Sequence, residues 1–137
     1  MNHKTIRWQQ RYQNFSRSLR LLDEAVEIEK PSDVEKGGIV QFFEVTFELA
    51  WKTLKDYLES EGYLVKSPRE TIKQAFQNEI IRDGESLMQA LDDRNLTTHI
   101  YDNETANRIV NKIQTKYFPL LLELDSSLKN MQNEINQ

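Results

Sequence analysis

Large apolar side chains recur at helical spacing through most of this 137-residue chain. In the first segment they are separated by alternating steps of four and three residues, which places them on one stripe of a helix. They are Trp8, Tyr12, Phe15, Leu19, Leu22 and Val26. The pattern predicts a first helix that runs to about Glu29, because Pro31 disfavours a helical conformation at Lys30.

A second helix is predicted to begin at Ser32 or Asp33, since either side chain can cap a helix start. Its apolar positions step by four and three from Ile39 to Leu58, and three further apolar residues widen the arc. These three are Phe42, Leu49 and Trp51. A helix with so wide an apolar surface is covered on more than one side. Gly62 follows Glu61 at a position where a left-handed residue commonly ends a helix.

Two shorter helices follow. Ser67, Pro68 and Glu70 combine an N-cap, a proline at the first helical position and an acid three residues after the cap. The predicted third helix turns four apolar residues inward, namely Ile72, Ala75, Phe76 and Ile80. Asp83 predicts a new cap and a fourth helix with Leu87, Met88 and Leu91 on the core, which ends somewhere between Arg94 and Tyr101.

The last predicted helix is the longest. Asp102 or Asn103 can cap it, and its apolar stripe extends from Ala106 to Ile135, which corresponds to roughly 48 Å of helix. Pro119 lies inside this stripe and is expected to bend the helix. The elements together predict an all-α fold, an antiparallel up-and-down bundle of four-helix type with an extra short helix, in one domain over residues 1–137. Because so long a stripe would be costly to expose, we expect a homodimer.

Composition agrees with a helical fold and narrows the chemistry. Four glycines and three prolines are fewer than turn-rich β folds need. The absence of cysteine excludes disulfides and thiolate metal sites, and two histidines are too few for a histidine-rich one, so no metal and no cofactor are expected. No apolar run is long enough to span a membrane and the first residues lack the apolar core of a leader, so a cytoplasmic protein is expected.

Charge is unevenly distributed along a chain whose net charge is −4. Five basic residues precede the first acid, Asp23: they are Lys4, Arg7, Arg11, Arg17 and Arg20. One interpretation is an ordinary solvated helix face. The other is a landing surface for phosphate, since a local basic patch attracts nucleic acid even on a net-acidic protein.

Candidate chemistry is concentrated in the polar segment from Asp92 to Asp102. On a continuous helix Arg94 and His99 would lie about 140° apart, so they can converge only if the helix ends between them. A guanidinium stabilises charge on phosphoryl oxygens, and an imidazole can exchange a proton at neutral pH. The two groups suffice for metal-independent RNA cleavage, in which the ribose 2′-hydroxyl attacks the adjacent phosphate. The alternative is a helix-capping arginine beside a surface histidine.

Three segments of the chain carry a resemblance to a known family: Phe47 to Lys52, Ser67 to Phe76, and Asp93 to Asp102. The chain resembles the nucleotidyltransferase substrate-binding protein family, a branch of the HEPN superfamily that includes HepT-type toxins. The resemblance extends from Trp8 to about Leu124. Its most specific element is Arg-x-x-x-x-His-x-Tyr, which Arg94, His99 and Tyr101 satisfy.

This resemblance implies a dimeric helical bundle that pairs with a separate small nucleotidyltransferase of the MNT type. It implies that Arg94 and His99 form a ribonuclease site near the dimer interface, which would make RNA the substrate. It also implies that Tyr101 accepts AMP from the partner, and that this AMPylation silences the toxin. The older family name implies an alternative, a non-catalytic subunit that holds a nucleotide or another substrate for the nucleotidyltransferase.

Residues around the motif have supporting roles in this interpretation. Asp93 and Asn95 flank Arg94 and could orient either its guanidinium or the bound ribose. Glu48 and Lys52 are four residues apart and are predicted to form a pair on one helix face, with a supporting role beside the cleft as the alternative. The chain does not transfer nucleotides itself, because it lacks a strand-borne Gly-Ser motif followed by paired aspartates for two metal ions.

Overall fold

The computed structural model describes residues 2–96 and 102–137, and within them the chain is helical with no strand. The helices are α1 (His3–Val26), α2 (Asp33–Ser60), α3 (Pro68–Gln77), α4 (Gly84–Asn95), α5 (Asn103–Lys112) and α6 (Phe118–Ile135). A π-helical turn, Ile113–Tyr117, joins α5 to α6. Helix α5, this turn and α6 follow one another without a break, so the described residues form five helical rods. The prediction of an all-α bundle is confirmed.

The helix starts are capped as the sequence predicts. Ser32 forms a capping box with Glu35, with hydrogen bonds of 3.1 Å and 2.9 Å between each side chain and the other residue's backbone N–H. The side chain of Ser67 accepts from the backbone N–H of Glu70 at 3.1 Å, in front of the helical Pro68. Asp83 and Asp102 cap α4 and α5 in the same way. These side chains satisfy backbone donors that have no partner inside their helices.

Residues with a positive φ follow the ends of α2 and α1. Gly62 has a φ of +93°, which confirms the left-handed stop after α2. Helix α1 ends at Val26, three residues before the predicted Glu29. Lys30 has a φ of +51° in front of Pro31. The helix therefore ends with the last residue of its apolar stripe, Val26, and the chain leaves the right-handed helical conformation before the position that Pro31 indicates.

Helix α2 occupies the centre of the bundle, since it contacts α1, α3, α4, α5 and α6. Helix α1 packs along it in antiparallel order, because Arg11 bonds to Asp56 at 2.7 Å and the hydroxyls of Ser18 and Thr46 share a hydrogen bond of 2.6 Å. The largest side chains of the core are fully buried: Trp8, Phe15, Leu22, Phe43, Phe47, Leu54, Ile109, Ile113 and Tyr117. This central position buries the main apolar stripe of α2, whereas of the three residues that widen it Phe42 is exposed and Leu49 and Trp51 are half-buried.

The prediction that Phe76 of the third helix points into the core is wrong. The side chain of Phe76 is 53% exposed, whereas Ile72 and Ala75 of the same helix are buried. The ring of Phe76 instead lies over the start of α4, where a Cβ added to Gly84 would come within 3.3 Å of it. Helix α3 is short, so its buried face is narrow and Phe76 falls at its edge.

The irregularity that Pro119 predicts takes the form of the π turn. The backbone N–H of Phe118 donates to the carbonyl oxygen of Ile113, five residues back instead of four. A proline has no N–H and its ring collides with the carbonyl of the preceding turn, and the wider turn relieves this collision. Much of the apolar stripe of this rod is buried within the same chain, at Ile109, Val110, Ile113, Tyr117, Leu121, Leu124 and Leu128. This stripe therefore does not require a second copy to cover it.

Candidate functional site

The last turn of α4 carries the motif arginine and ends before the motif histidine. Helix α4 ends at Asn95, and the N–H of Leu96 turns back to the carbonyl oxygens of Asp93 and Arg94. The helix therefore breaks between Arg94 and His99, as their convergence requires. His99 and Tyr101 themselves lie outside the described residues.

Three charged side chains, which we call the outer cluster, lie together at this end of α4: Glu48, Lys52 and Arg94. Nη2 of Arg94 donates to Oε2 of Glu48 at 2.7 Å, and Nζ of Lys52 lies 3.3 Å from Oε1 of the same carboxylate. The predicted pair of Glu48 and Lys52 is confirmed, and Glu48 also links α2 to α4. These side chains are 31% to 40% exposed. The cluster has two cations and one carboxylate, so it has an excess positive charge within reach of solvent.

Asn95 contacts the same guanidinium from its own helix. Its Oδ1 accepts a long hydrogen bond of 3.4 Å from Nη1 of Arg94. This contact is compatible with the predicted role of Asn95 in orienting Arg94.

A second group, the inner cluster, consists of Asp93, Arg108 and Tyr117. Tyr117 Oη donates to Oδ2 of Asp93 at 2.5 Å, and Nη1 of Arg108 donates to Oδ1 at 3.1 Å. Asp93 is 7% exposed and Tyr117 is 1% exposed. Burial and then the bond to Asp93 raise the pKa of Tyr117 well above its ordinary value. Both carboxylate oxygens of Asp93 are thus engaged by α5 and the π turn, and through them Asp93 fixes the backbone that carries Arg94.

The π turn connects the inner cluster to the centre of the core. Tyr117 is its last residue, and the ring of Tyr117 stacks on Phe43 of α2 with 5.7 Å between centroids and 20° between planes. The phenol therefore lies in the core while its hydroxyl reaches the end of α4. π turns inside α-helices are frequent at functional sites, because the extra residue redirects a side chain.

A fourth ion pair neutralises the remaining acid of this turn, Asp92. Nη2 of Arg69, in the first turn of α3, lies 3.0 Å from Oδ1 of Asp92. The three carboxylates at and around the end of α4 are thus matched by four cations from α2, α3, α4 and α5: Lys52, Arg69, Arg94 and Arg108. This balance favours an anionic ligand over a cationic one.

Tyr117, Arg108 and Arg69 were not among the sequence candidates. A signal for the inner cluster was present, because Asp93 follows Ser86 and Ala90 at steps of four and three, on the inward stripe of α4. A buried tyrosine also needs a partner for its hydroxyl. The partner could not be identified from spacing, because Asp93 and Tyr117 are 24 residues apart.

Comparisons with known proteins identify the family of the chain and a similar solved structure. Residues 10–130 match the model of a family described as "Nucleotidyltransferase substrate binding protein like". The chain is also similar to the crystal structure of a protein from Thermus thermophilus, with 34% sequence identity and a TM-score of 0.76, over 80% of this chain and 94% of that one. A comparison with curated proteins gives no match. No helix within the described ranges is long and apolar enough to cross a membrane.

Proposed function

Because this chain belongs to the nucleotidyltransferase substrate-binding protein like family, we propose that it is a HEPN-type toxin subunit and a metal-independent endoribonuclease. The family implies association with a nucleotidyltransferase partner. The observation that supports the catalytic proposal is the position of Arg94, at the end of α4 and beside an excess positive charge. The motif residues His99 and Tyr101 follow five and seven positions later. We assign the whole of residues 1–137 to one HEPN-like domain.

The proposed reaction needs one charge stabiliser and one group that exchanges protons. The ribose 2′-oxygen forms a bond to phosphorus and gives up its proton, while the bond from phosphorus to the leaving 5′-oxygen breaks and that oxygen is protonated. His99 serves as the proton-exchanging group. The guanidinium of Arg94 donates paired hydrogen bonds to the phosphoryl oxygens, where negative charge accumulates. The products are a 2′,3′-cyclic phosphate and a 5′-hydroxyl.

Glu48 regulates access to the guanidinium in this proposal. It holds Arg94 at 2.7 Å in the structure, so an RNA phosphate has to compete with this carboxylate. Lys52 lies 3.3 Å from the same carboxylate and can retain it when Arg94 turns to the phosphate. The exchange costs little, because these side chains are 31% to 40% exposed and ion pairs near the surface contribute only about 0 to 1 kcal/mol.

Control by the partner is proposed to act at Tyr101. Transfer of AMP from ATP to its hydroxyl releases pyrophosphate and adds a negative phosphate two residues after His99. That phosphate would compete with RNA for Arg94. One modification then blocks the substrate without unfolding the protein.

The homodimer is proposed to form through the outer face of α2. Phe42 and Val45 are 37% and 47% exposed there, and Leu49 of the same stripe is half-buried. A contiguous apolar patch of this kind marks an interaction site. It adjoins the face that carries Glu48, which is compatible with a site near the dimer interface.

The central experiment is an RNA cleavage assay in EDTA with the purified chain. We expect cleavage without added metal, and a loss of about 10²- to 10⁴-fold in His99→Ala. Cleavage that requires Mg²⁺, or a fully active His99→Ala, would contradict the proposal.

Two further experiments test the control by the partner and the dimer. Incubation with the partner, ATP and Mg²⁺ should add AMP to the wild type and not to Tyr101→Phe, as measured by intact mass. Sedimentation should give twice the chain mass of 16.2 kDa, and Val45→Glu should give the monomer.

A second candidate is a non-catalytic subunit that holds a nucleotide for the nucleotidyltransferase. The ion pair of Glu48 with Arg94 favours this second candidate, because the carboxylate already engages the guanidinium that catalysis would require. In this case the chain would bind a nucleotide and leave RNA intact, and neither the wild type nor Tyr101→Phe would gain the mass of AMP.

A further inference from the structure

Helix α1 carries a run of exposed cations that the proposed site does not use. Arg7, Arg17 and Arg20 are exposed, and they lie within an arc of about 140° on a helix that turns by about 100° per residue. The exposed residues between them on the same arc are the amides Gln10, Gln13 and Asn14. We call these six residues the basic face of α1. It is about 20 Å long at 1.5 Å per residue.

The basic face differs from the solvated faces elsewhere in this protein. On α2 the cations are paired with acids three or four residues away, at Lys36 with Asp33, Lys52 with Glu48 and Lys55 with Glu59. On α1 the inward-leaning Arg11 is paired with Asp56. Within the described residues, Arg7, Arg17 and Arg20 form no ion pair. The three arginines therefore lack the ion pairs that the cations of α2 have, although Asp23 and Glu24 follow Arg20 by three and four residues.

This arrangement also opposes the electrostatics of the helix. The first turn of α1 contains no acid, although the amino end of a helix favours negative charge and disfavours cations. Lys4 lies in this first turn and Arg7 follows it directly, where the effect of the dipole already decreases. A bound anion would relieve both the repulsion among the arginines and the conflict with the helix dipole.

The basic face is level with the proposed catalytic site along the bundle. Ser18 contacts Thr46 across the pair of α1 and α2, so Arg17 lies at about the height of Glu48. Glu48 in turn holds Arg94. A strand bound along α1 therefore passes the same level of the bundle as the guanidinium.

We propose that the basic face of α1 binds the phosphate backbone of single-stranded RNA and delivers it to the level of Arg94. The proposal depends on the proposed ribonuclease function for the identity of the polymer. Arginines supply the contacts to phosphate, and the three amides can bond to phosphate, sugar or base edges without reading sequence. The face thus contributes affinity that is independent of sequence and sensitive to salt.

The test uses the intact protein and a labelled single-stranded RNA whose 2′-positions are O-methylated, so that it cannot be cleaved. Binding is measured by fluorescence anisotropy over a range of salt concentrations. The variant reverses three charges, Arg7→Glu, Arg17→Glu and Arg20→Glu. A matched control reverses three exposed charges elsewhere, Lys66→Glu, Lys73→Glu and Arg82→Glu, with the same change in net charge. Glutamine versions of both sets provide a second comparison if charge reversal impairs folding.

We expect the wild type to lose affinity with salt by a slope of roughly −0.7 for each phosphate contacted, or about −2 for three contacts. The α1 variant should lose most of this slope and bind at least tenfold more weakly at low salt, whereas the control keeps the slope. Equal slopes in the α1 variant and the wild type would overturn the proposal. Equal weakening by the control would also overturn it, because it would show a general charge effect. Loss of partner binding with unchanged RNA binding would assign the face to an acidic protein surface and overturn the proposal as well.

A dinucleotide substrate separates this proposal from the proposed function. It is too short to reach the basic face from Arg94, so the α1 variant should cleave it at the wild-type rate while its KM for a long RNA rises. If the wild type cleaves neither substrate, the ribonuclease proposal fails, and the anisotropy result still decides whether the face binds RNA.

Discussion

Asp93 and Arg94 are consecutive residues with opposite surroundings. Asp93 faces the core, where Tyr117 and Arg108 engage both of its oxygens, and it is 7% exposed. Arg94 faces outward, shares Glu48 with Lys52, and has a side chain 35% exposed. The helical step of about 100° separates the inner cluster from the outer one. One turn of α4 therefore joins a buried network to an exchangeable set of charges.

The difference separates two physical tasks. A buried hydrogen bond to a charged group contributes about 1.5 to 3 kcal/mol, and removal of one partner leaves the other unsatisfied. An exposed ion pair contributes about 0 to 1 kcal/mol and is easily replaced by a ligand. We therefore expect the inner cluster to govern stability and the outer cluster to govern affinity and turnover.

Replacement of the motif arginine should give the largest effect and separate the two clusters most clearly. We expect Arg94→Ala to lower the rate of RNA cleavage by about 10²- to 10³-fold, as for the loss of a donor to developing charge. The free energy of unfolding should change by less than about 1 kcal/mol, because both side chains of the lost ion pair are about one third exposed. Single-turnover cleavage and urea unfolding measure the two quantities. A large loss of stability would show that Arg94 supports the fold.

The opposite result, a loss of stability, is expected for Asp93, one residue before Arg94. Asp93→Ala should lower the free energy of unfolding by about 2 to 3 kcal/mol, since the buried hydroxyl of Tyr117 loses its acceptor. Asp93→Asn is the matched control, because its amide oxygen can still accept one hydrogen bond, and it should cost less. Urea unfolding followed by circular dichroism tests both variants. A change below about 0.5 kcal/mol in Asp93→Ala would contradict a structural role for the inner cluster.

Alkaline pH should weaken the fold at three buried or half-buried tyrosines, one of which belongs to the inner cluster. The pKa of Tyr117 is raised in the folded protein by burial and by Asp93, and burial raises the pKa of Tyr12 and of Tyr57 to about 12. A raised folded pKa gives stability that is complete below the unfolded value near 10 and is lost as pH rises through the folded value. Stability should therefore fall between about pH 10 and pH 12.

Tyr117→Phe removes the contribution of one titrating hydroxyl from this pH dependence. The wild type should lose up to about 1.4 kcal/mol per pH unit for each such tyrosine, and the variant should lose one such contribution fewer. Urea midpoints measured at several pH values give the slopes. Identical slopes in the two proteins would show that Tyr117 does not titrate differently on folding.

The smallest effect on stability is expected at the shared carboxylate. Glu48→Gln should change the free energy of unfolding by no more than about 0.5 kcal/mol, because the side chains of its partners Lys52 and Arg94 are 40% and 35% exposed. It should nevertheless tighten binding of non-cleavable RNA several-fold, since the competing charge at Arg94 is removed. Anisotropy titrations test this expectation, with Glu59→Gln as a control that breaks an i,i+4 pair away from the site. Weaker RNA binding in Glu48→Gln would mean that the carboxylate positions Arg94 for phosphate.

The local features of the fold could be predicted because each depends on neighbouring residues. The caps at Ser32, Ser67 and Asp83 and the stop at Gly62 follow from side chains within a few positions of each helix end. The pair of Glu48 and Lys52 follows from a step of four. The exposure of Phe76 could not be read in this way, because it depends on where the start of α4 lies against α3.

In the candidate site, too, the local features could be predicted and the long-range contacts could not. Arg94 could be identified from its spacing and from the family motif, and the break of the helix at Asn95 was predicted within the interval up to Tyr101. The partners of Asp93 could not, because Arg108 and Tyr117 are brought to it by the packing of α5 and the π turn against α4. Long-range partners of a single carboxylate leave no periodic signal in the sequence. His99 and Tyr101 stay predictions.

The π turn also determines how far α6 is rotated relative to α5 about the axis that they share. Ile109 and Leu128 are both fully buried, yet an uninterrupted α-helix would turn the second about 100° away from the first. The turn holds one residue more than an α-helical turn, and this residue takes up that angle. A relative that lacks one residue at this point can therefore run as a plain α-helix and keep the same apolar face after it. A difference of one residue in length at this place thus leaves the buried face of α6 in register with that of α5.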